Sequence, residues 1–294
     1  MATNEATAPA KINLCLYLTG LREDGYHLLE SLVVFADLGD RLRVAPADEL
    51  TLTVDGPFAE GVPTDGGNLV LKTAERLRTL RGVTAGASIQ LTKHLPHGGG
   101  IGGGSSDAAC ALSLLADLWQ VAPLTTVEAL PLGADVPVCL CAPQAMEMRG
   151  IGEDLTPAPY QPEGWLVLAN PRVAVPTGAV FALHDRISDF SPQGMEPLDG
   201  IGKPDDFVAW LRRQRNDLTR VACEDGIAPV IGDVLAALRV FAEVAEMSGS
   251  GSTCWALFRD EATAQTCADA IAADHPGWWV RAARLLLRGK PARA

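Results

Sequence analysis

Between residues 98 and 104 the chain sets six glycines in seven positions, Gly98-Gly99-Gly100-Ile101-Gly102-Gly103-Gly104. Glycine loses more conformational freedom on folding than any other residue, so such a run is rational where backbone must approach something closely. Pro96 and His97 lead into it. Ser105-Ser106-Asp107-Ala108-Ala109 follow without a spacer. Ala108, Leu112, Leu115 and Trp119 then step by four, three and four, which predicts a helix over Ser105–Trp119. The free N–H groups and dipole at the start of a helix favour an anion. Ser105 or Ser106 can cap that helix or contact a phosphate. A flexible linker would not open directly into a capped helix, so the run reads as a phosphate cradle. A P-loop needs lysine after its last glycine, and here Ser105 follows Gly104. Gly98-x-Gly100-x-x-Gly103 does satisfy the dinucleotide fingerprint, which leaves a dinucleotide oxidoreductase as one reading. A glycine run satisfies many patterns, however, and Thr92–His97 separates it from the strand expected over Ala87–Leu91.

The rest of the chain mixes helices and strands without a regular repeat, so the expected class is α+β. Ala10–Leu18 alternates, with Ile12, Leu14, Leu16 and Leu18 on one face and Lys11, Asn13, Cys15 and Tyr17 on the other. That period predicts a half-buried strand. Strands are expected over Ser31–Leu38 and Arg41–Val44, with Gly39-Asp40 as a hairpin turn between them. Asn68 can cap a helix running to Leu80, closed by Gly82. Further strands are expected over Trp165–Asn170, Cys254–Phe258 and Trp278–Ala283. Further helices are expected over Asp206–Gln214, Ile231–Glu243 and Glu261–Ala273. Ser188–Lys203 and Ser248–Ser252 read as loops. The proline-rich stretch from Thr156 to Gly164 marks a boundary between domains 1–156 and 157–294.

Composition narrows the function classes. The 294 residues carry a net charge of −12, against the basic face that nucleic acid requires. Local dipoles and a few cations must therefore hold any phosphorylated ligand against the global field. Seven scattered cysteines without a CxxC pair read as reduced thiols, and zinc would need more clustered Cys and His. No apolar run approaches the roughly 18 residues of a membrane span, and no secretory leader is legible, so the expected address is the cytoplasm.

The glycine run resembles the ATP loop of the galactokinase, homoserine kinase, mevalonate kinase and phosphomevalonate kinase (GHMP) superfamily. Two more of its motifs occur in order: Ala8-Pro9-Ala10-Lys11-Ile12-Asn13-Leu14 and Ser248-Gly249-Ser250-Gly251-Ser252. Gly20-Leu21-Arg22-Glu23-Asp24-Gly25-Tyr26-His27 and Gly133-Ala134-Asp135-Val136-Pro137-Val138 look like one branch, the diphosphocytidyl-methylerythritol kinases. Leu130-Pro131-Leu132 departs from the longer helical approach usual there.

The resemblance implies a two-domain α+β fold, with an N-terminal domain of a ribosomal-protein type and a ferredoxin-like C-terminal domain. It implies ATP bound along Pro96–Ser106. Its Mg²⁺ would be held through phosphates and water, with Ser106 as a candidate ligand and no carboxylate cage. Asp135 would be the general base and Lys11 its partner. A carboxylate can take the proton of an attacking alcohol, and a lysine can keep it ionised. Asn13 would contact substrate. Tyr26 and Phe181 would sandwich a cytosine whose polar edge His27 bonds. The implied substrate is the cytidine diphosphate ester of methylerythritol, phosphorylated on its 2-hydroxyl by a monomer or weak dimer. Taken alone, Tyr26 and His27 could be turn residues, Phe181 a core residue and Lys11 a solvated one. A sister kinase, or a nucleotide-binding protein without catalysis, remains the alternative.

Overall fold

The computed structural model describes residues 4–224 and 227–287. Two compact units emerge, and each interleaves several segments. The first comprises Met1–Ala10, Leu38–His97 and Gly102–Leu140, and the second Lys11–Asp37, Gly98–Ile101 and Cys141–Ala294.

In the first unit, β3 (Leu50–Asp55) pairs parallel with β4 (Gly86–Thr92). β4 pairs antiparallel with Arg41–Ala47 of β2 (His27–Ala47). α1 (Leu69–Arg81) and α2 (Gly103–Trp119) close the core, in which Leu42, Ile89, Leu77 and Leu112 are fully buried. α1 begins where Asn68 accepts from the Val70 N–H at 2.8 Å and ends at Gly82, whose φ is +66°. α3 (Thr126–Ala129), a 3-10 turn at Leu130–Leu132 and α4 (Val136–Cys139) complete it. The departure at Leu130-Pro131-Leu132 is thus a tight turn ending at Gly133.

In the second unit, Leu29–Val33 of β2 pairs with β5 (Met146–Gly150), which pairs with β6 (Asp154–Pro157). A separate antiparallel sheet has the order β10-β7-β9-β8, from β7 (Trp165–Asn170), β8 (Ala245–Met247), β9 (Cys254–Phe258) and β10 (Trp279–Arg284). α8 (Val230–Arg239) and α9 (Glu261–Asp274) pack on it through Ile231, Val234, Leu238, Ala264, Cys267 and Ile271. α5 (Thr177–Ile187), α6 (Pro204–Leu211) and α7 (Asp217–Ala222) complete the described elements.

Three expectations are corrected. β1 (Asn4–Leu21) is longer than the alternating stretch, and both of its faces are buried from Ala10 to Leu18. Lys11, Asn13, Cys15 and Tyr17, expected on an open face, are each no more than 3% exposed. Gly39-Asp40 is no turn, because β2 runs straight through it. A Cβ at Gly39 would collide with the Ala8 backbone, so the glycine permits close strand approach. Asp40 is held by the backbone N–H groups of His94 and Leu95. Finally, the eighth helix stops at Arg239, short of Glu243. Among the described residues, no helix is long and apolar enough to cross a membrane.

Candidate functional site

In the first unit the glycine run passes directly into α2. Gly102 occupies the N-cap position with φ +63°, a left-handed conformation that favours glycine, and no side chain caps the helix. This corrects the expected serine cap. Ser106 instead donates from Oγ to the Pro9 carbonyl at 2.6 Å, tying the N-terminal motif to the start of α2. Gly104 is exposed, and a Cβ there would meet nothing within 4 Å. The opening turn of α2 therefore presents bare backbone, the surface a phosphate chain needs.

Beneath that turn lies a charge cluster that sequence reasoning missed. Lys93 donates to Asp107 Oδ2 at 2.7 Å and to Asp40 Oδ2. All three residues are buried, and a Cβ on Gly103 would stand 3.5 Å from the Lys93 ammonium. Burial pushes the Lys93 ammonium down, but the two carboxylates outweigh it and its pKa is raised. Burial pushes the Asp107 carboxyl up, Lys93 pulls it back, and the Asp40 charge adds to the rise. Asp107 Oδ1 has no hydrogen-bond partner. The missed signal was period two: Ile89, Leu91, Lys93 and Leu95 alternate onto one buried face. Asp135 is half-buried at the start of α4, and its side chain does not cap that helix.

In the second unit the other half of the glycine run meets the serine-glycine motif, 148 residues away. Gly99 accepts from the Thr253 N–H at 3.0 Å, Gly100 from Ser248 Oγ at 2.9 Å, and Ile101 from the Lys11 N–H at 3.0 Å. In the first unit, Gly102 accepts from the Ser106 N–H at 2.8 Å. A Cβ at Gly100, whose φ is +74°, would lie 2.8 Å from the Gly251 carbonyl oxygen, so only glycine fits this crossing. Asn13 is fixed from three sides. Its N–H donates to Ser248 Oγ at 3.1 Å, its Nδ2 to Ser31 Oγ at 2.7 Å, and its carbonyl accepts from Trp255 Nε1 at 3.0 Å. Its Oδ1 is buried without a hydrogen-bond partner, an acceptor suited to a ligand hydroxyl or amine. Lys11 is buried on the same strand, at 3% exposure.

Tyr26, His27 and Phe181 also belong to the second unit. Gly25, with φ +85°, closes a turn in which Arg22 N–H donates to the Tyr26 carbonyl at 2.8 Å. The turn leaves Tyr26 58% exposed. His27 and Phe181 have ring centroids 4.7 Å apart, so the structure brings these two together. Phe181 also packs partly against the core, as the core reading of it expects.

Two family models match the chain: GHMP kinases N terminal domain over residues 68–142 and GHMP kinases C terminal over residues 209–277. The 4-diphosphocytidyl-2-C-methyl-D-erythritol kinase of Jannaschia sp. (strain CCS1) is 52% identical over 287 residues, covering 97% of this chain and 98% of that one. The enzyme of the same name from Paramagnetospirillum magneticum is 49% identical and covers 97% and 100%. A crystal structure of 4-(cytidine 5'-diphospho)-2C-methyl-D-erythritol kinase superposes with a TM-score of 0.78 at 34% identity, covering 96% and 98%. The buried Lys11-Ile12-Asn13 strand, the glycine cradle and the serine-glycine loop that crosses it therefore belong to a chain of the 4-diphosphocytidyl-2-C-methyl-D-erythritol kinase family of GHMP kinases.

Proposed function

We propose that this protein transfers the γ-phosphoryl group of ATP to the 2-hydroxyl of 4-diphosphocytidyl-2-C-methyl-D-erythritol, in the methylerythritol phosphate route to isoprenoid precursors. The observation that carries this reading is identity of about half the residues over nearly the whole chain with relatives of that name. The bare opening turn of α2 fits the phosphate chain of ATP, with Gly98–Ser106 as its cradle. ATP supplies the phosphoryl group. A Mg²⁺ ion would be held through the phosphates and water, with Ser106, whose hydroxyl donates to the Pro9 carbonyl and keeps its lone pairs, as the candidate side-chain ligand.

The roles of individual residues follow from the motif resemblance and the local chemistry. Asp135 accepts the proton of the attacking hydroxyl, and Lys11 supplies positive charge where negative charge develops. The acceptor is a hindered tertiary alcohol, so positioning by Asn13 matters as much as proton removal. Tyr26 and Phe181 hold the cytosine, and His27 bonds its edge. The division at residue 156 into an ATP-binding part and a C-terminal part is supported by the two family-model matches falling on either side of it. A cytoplasmic setting suits seven cysteines that form no disulfide.

ADP release measured across a panel of alcohols tests the reading. Turnover is expected on the cytidine diphosphate ester and not on homoserine, mevalonate or galactose. Turnover of a sister substrate with none on the cytidyl ester would overturn it. Tyr26→Ala is a second test, and because Tyr26 is exposed the substitution removes little core packing. Base stacking contributes about 1–3 kcal/mol, so KM for the cytidyl ester should rise roughly tenfold or more while KM for ATP stays put. An unchanged cytidyl KM would remove Tyr26 from the base site.

A further inference from the structure

His27 does not stand alone. Its Nε2 lies 2.7 Å from Oδ1 of Asp185, on α5 one helical turn beyond Phe181. Residues four apart share a helix face, so one stripe of α5 offers a ring and then a carboxylate to the same imidazole. His27 is held on several sides: Phe181 at 4.7 Å, Phe190 at 6.2 Å between ring centroids, and Asp185 at its Nε2 edge. Its side chain is 14% exposed and that of Asp185 is 36% exposed. The adjacent His184 stands 3.7 Å from the same oxygen, too far for a hydrogen bond, so the short contact belongs to His27.

An ionised carboxylate can only accept, so a neutral imidazole that bonds it through Nε2 must carry its proton there. The other nitrogen, Nδ1, is then an acceptor. A carboxylate or carbonyl that orients a histidine in this way is a general device for setting its tautomer.

We propose that Asp185 is a positioning residue that fixes His27 as the Nε2–H tautomer, and that the resulting Nδ1 acceptor selects a pyrimidine bearing an exocyclic amine over one bearing a carbonyl. Cytosine offers an N–H donor at its 4-position, whereas uracil offers an oxygen there. Facing an acceptor, the uracil oxygen loses the hydrogen bond and sets lone pair against lone pair. An imidazole free to exchange tautomers would meet either edge. The proposal rests on the reading that His27 contacts the base edge of the substrate.

Two measurements test it, and the first needs no substrate. Nitrogen-15 NMR of the imidazole in the full-length wild-type protein should show a single Nε2–H tautomer at His27. Asp185→Ala should show a mixture. The second is kcat/KM for the cytidine and uridine diphosphate esters of methylerythritol. In Asp185→Ala the preference for cytidine should fall about tenfold, the equivalent of one hydrogen bond, through KM with kcat retained. Asp185→Asn keeps an acceptor oxygen and should retain part of the preference. An Nδ1–H tautomer in the wild type overturns the proposal. So does an unchanged cytidine preference in Asp185→Ala, or an equal loss on both esters with a lowered melting midpoint. If the wild type turns over neither ester, the proposed activity fails, while the tautomer still decides the part played by Asp185.

Discussion

Lys93→Met is expected to lower the unfolding free energy by about 3–5 kcal/mol, the cost of removing one partner from a buried charge pair. Its two carboxylates, Asp40 and Asp107, are 0% and 2% exposed and would lose their shared cation. Replacing the charges together should recover much of the loss. In the triple variant Lys93→Met, Asp40→Asn, Asp107→Asn, the Asn at position 40 can still accept from the N–H groups of His94 and Leu95. Urea unfolding measures both, read as a shift of the midpoint at constant slope.

The cluster also predicts the sign of a pH dependence. The folded-state pKa of Asp107 is raised from 3.8 to about 7, chiefly by burial, so the folded state holds this proton more tightly than the unfolded chain. Its contribution is present below the ordinary carboxyl range and is lost as pH rises through about 7. Stability should decline across that window in the wild type and decline less in Asp107→Asn. A loss below about 1 kcal/mol for Lys93→Met, as for an exposed pair, would mean that water screens the cluster.

Asp135→Asn is expected to lower kcat by roughly 10²–10⁴, the range for loss of a general base. KM for ATP and for the cytidyl ester should change little, because the lost interaction is made in the transition state. The side chain does not cap α4, so the substitution removes no helix cap. Lys11→Met should depress kcat as well, and the two losses should not add if the residues act as a unit. Retention of more than about a tenth of wild-type kcat in Asp135→Asn would remove Asp135 from the base role. Phosphoryl transfer through a loose transition state would then depend on positioning by the glycine cradle.

Local patterns carried much of the fold into view. The cap at Asn68, the closing Gly82 and the strand Trp165–Asn170 were legible because each depends on neighbours in sequence. Errors arose where tertiary packing overrode local meaning. Gly39-Asp40 has the composition of a turn, yet its glycine makes room for the Ala8 backbone and its aspartate is a buried anchor. β1 alternates like a half-exposed strand because Lys11 and Asn13 are polar, but both are buried. α5 was missed because Val175-Pro176-Thr177-Gly178 opens it with residues that break helices elsewhere. At the site, the glycine run and the two flanking motifs were visible because their spacing is local. The supports, Lys93 with Asp40 and Asp185 with His27, join residues 53 and 158 positions apart. No window along the chain brings such partners together.

The crossing of the two glycine motifs gives the cradle a polarity. In the second unit three successive carbonyl oxygens, from Gly99 to Ile101, all accept from donors of the protein itself. Oxygen lone pairs that would otherwise repel a phosphate are thereby engaged at these three positions. In the proposed ATP cradle, engaging these carbonyls would spare a chain with a net charge of −12 some of the cations that a polyanion otherwise requires. Such a surface should favour an anion through orientation, with a salt dependence weaker than a lysine-lined pocket would show.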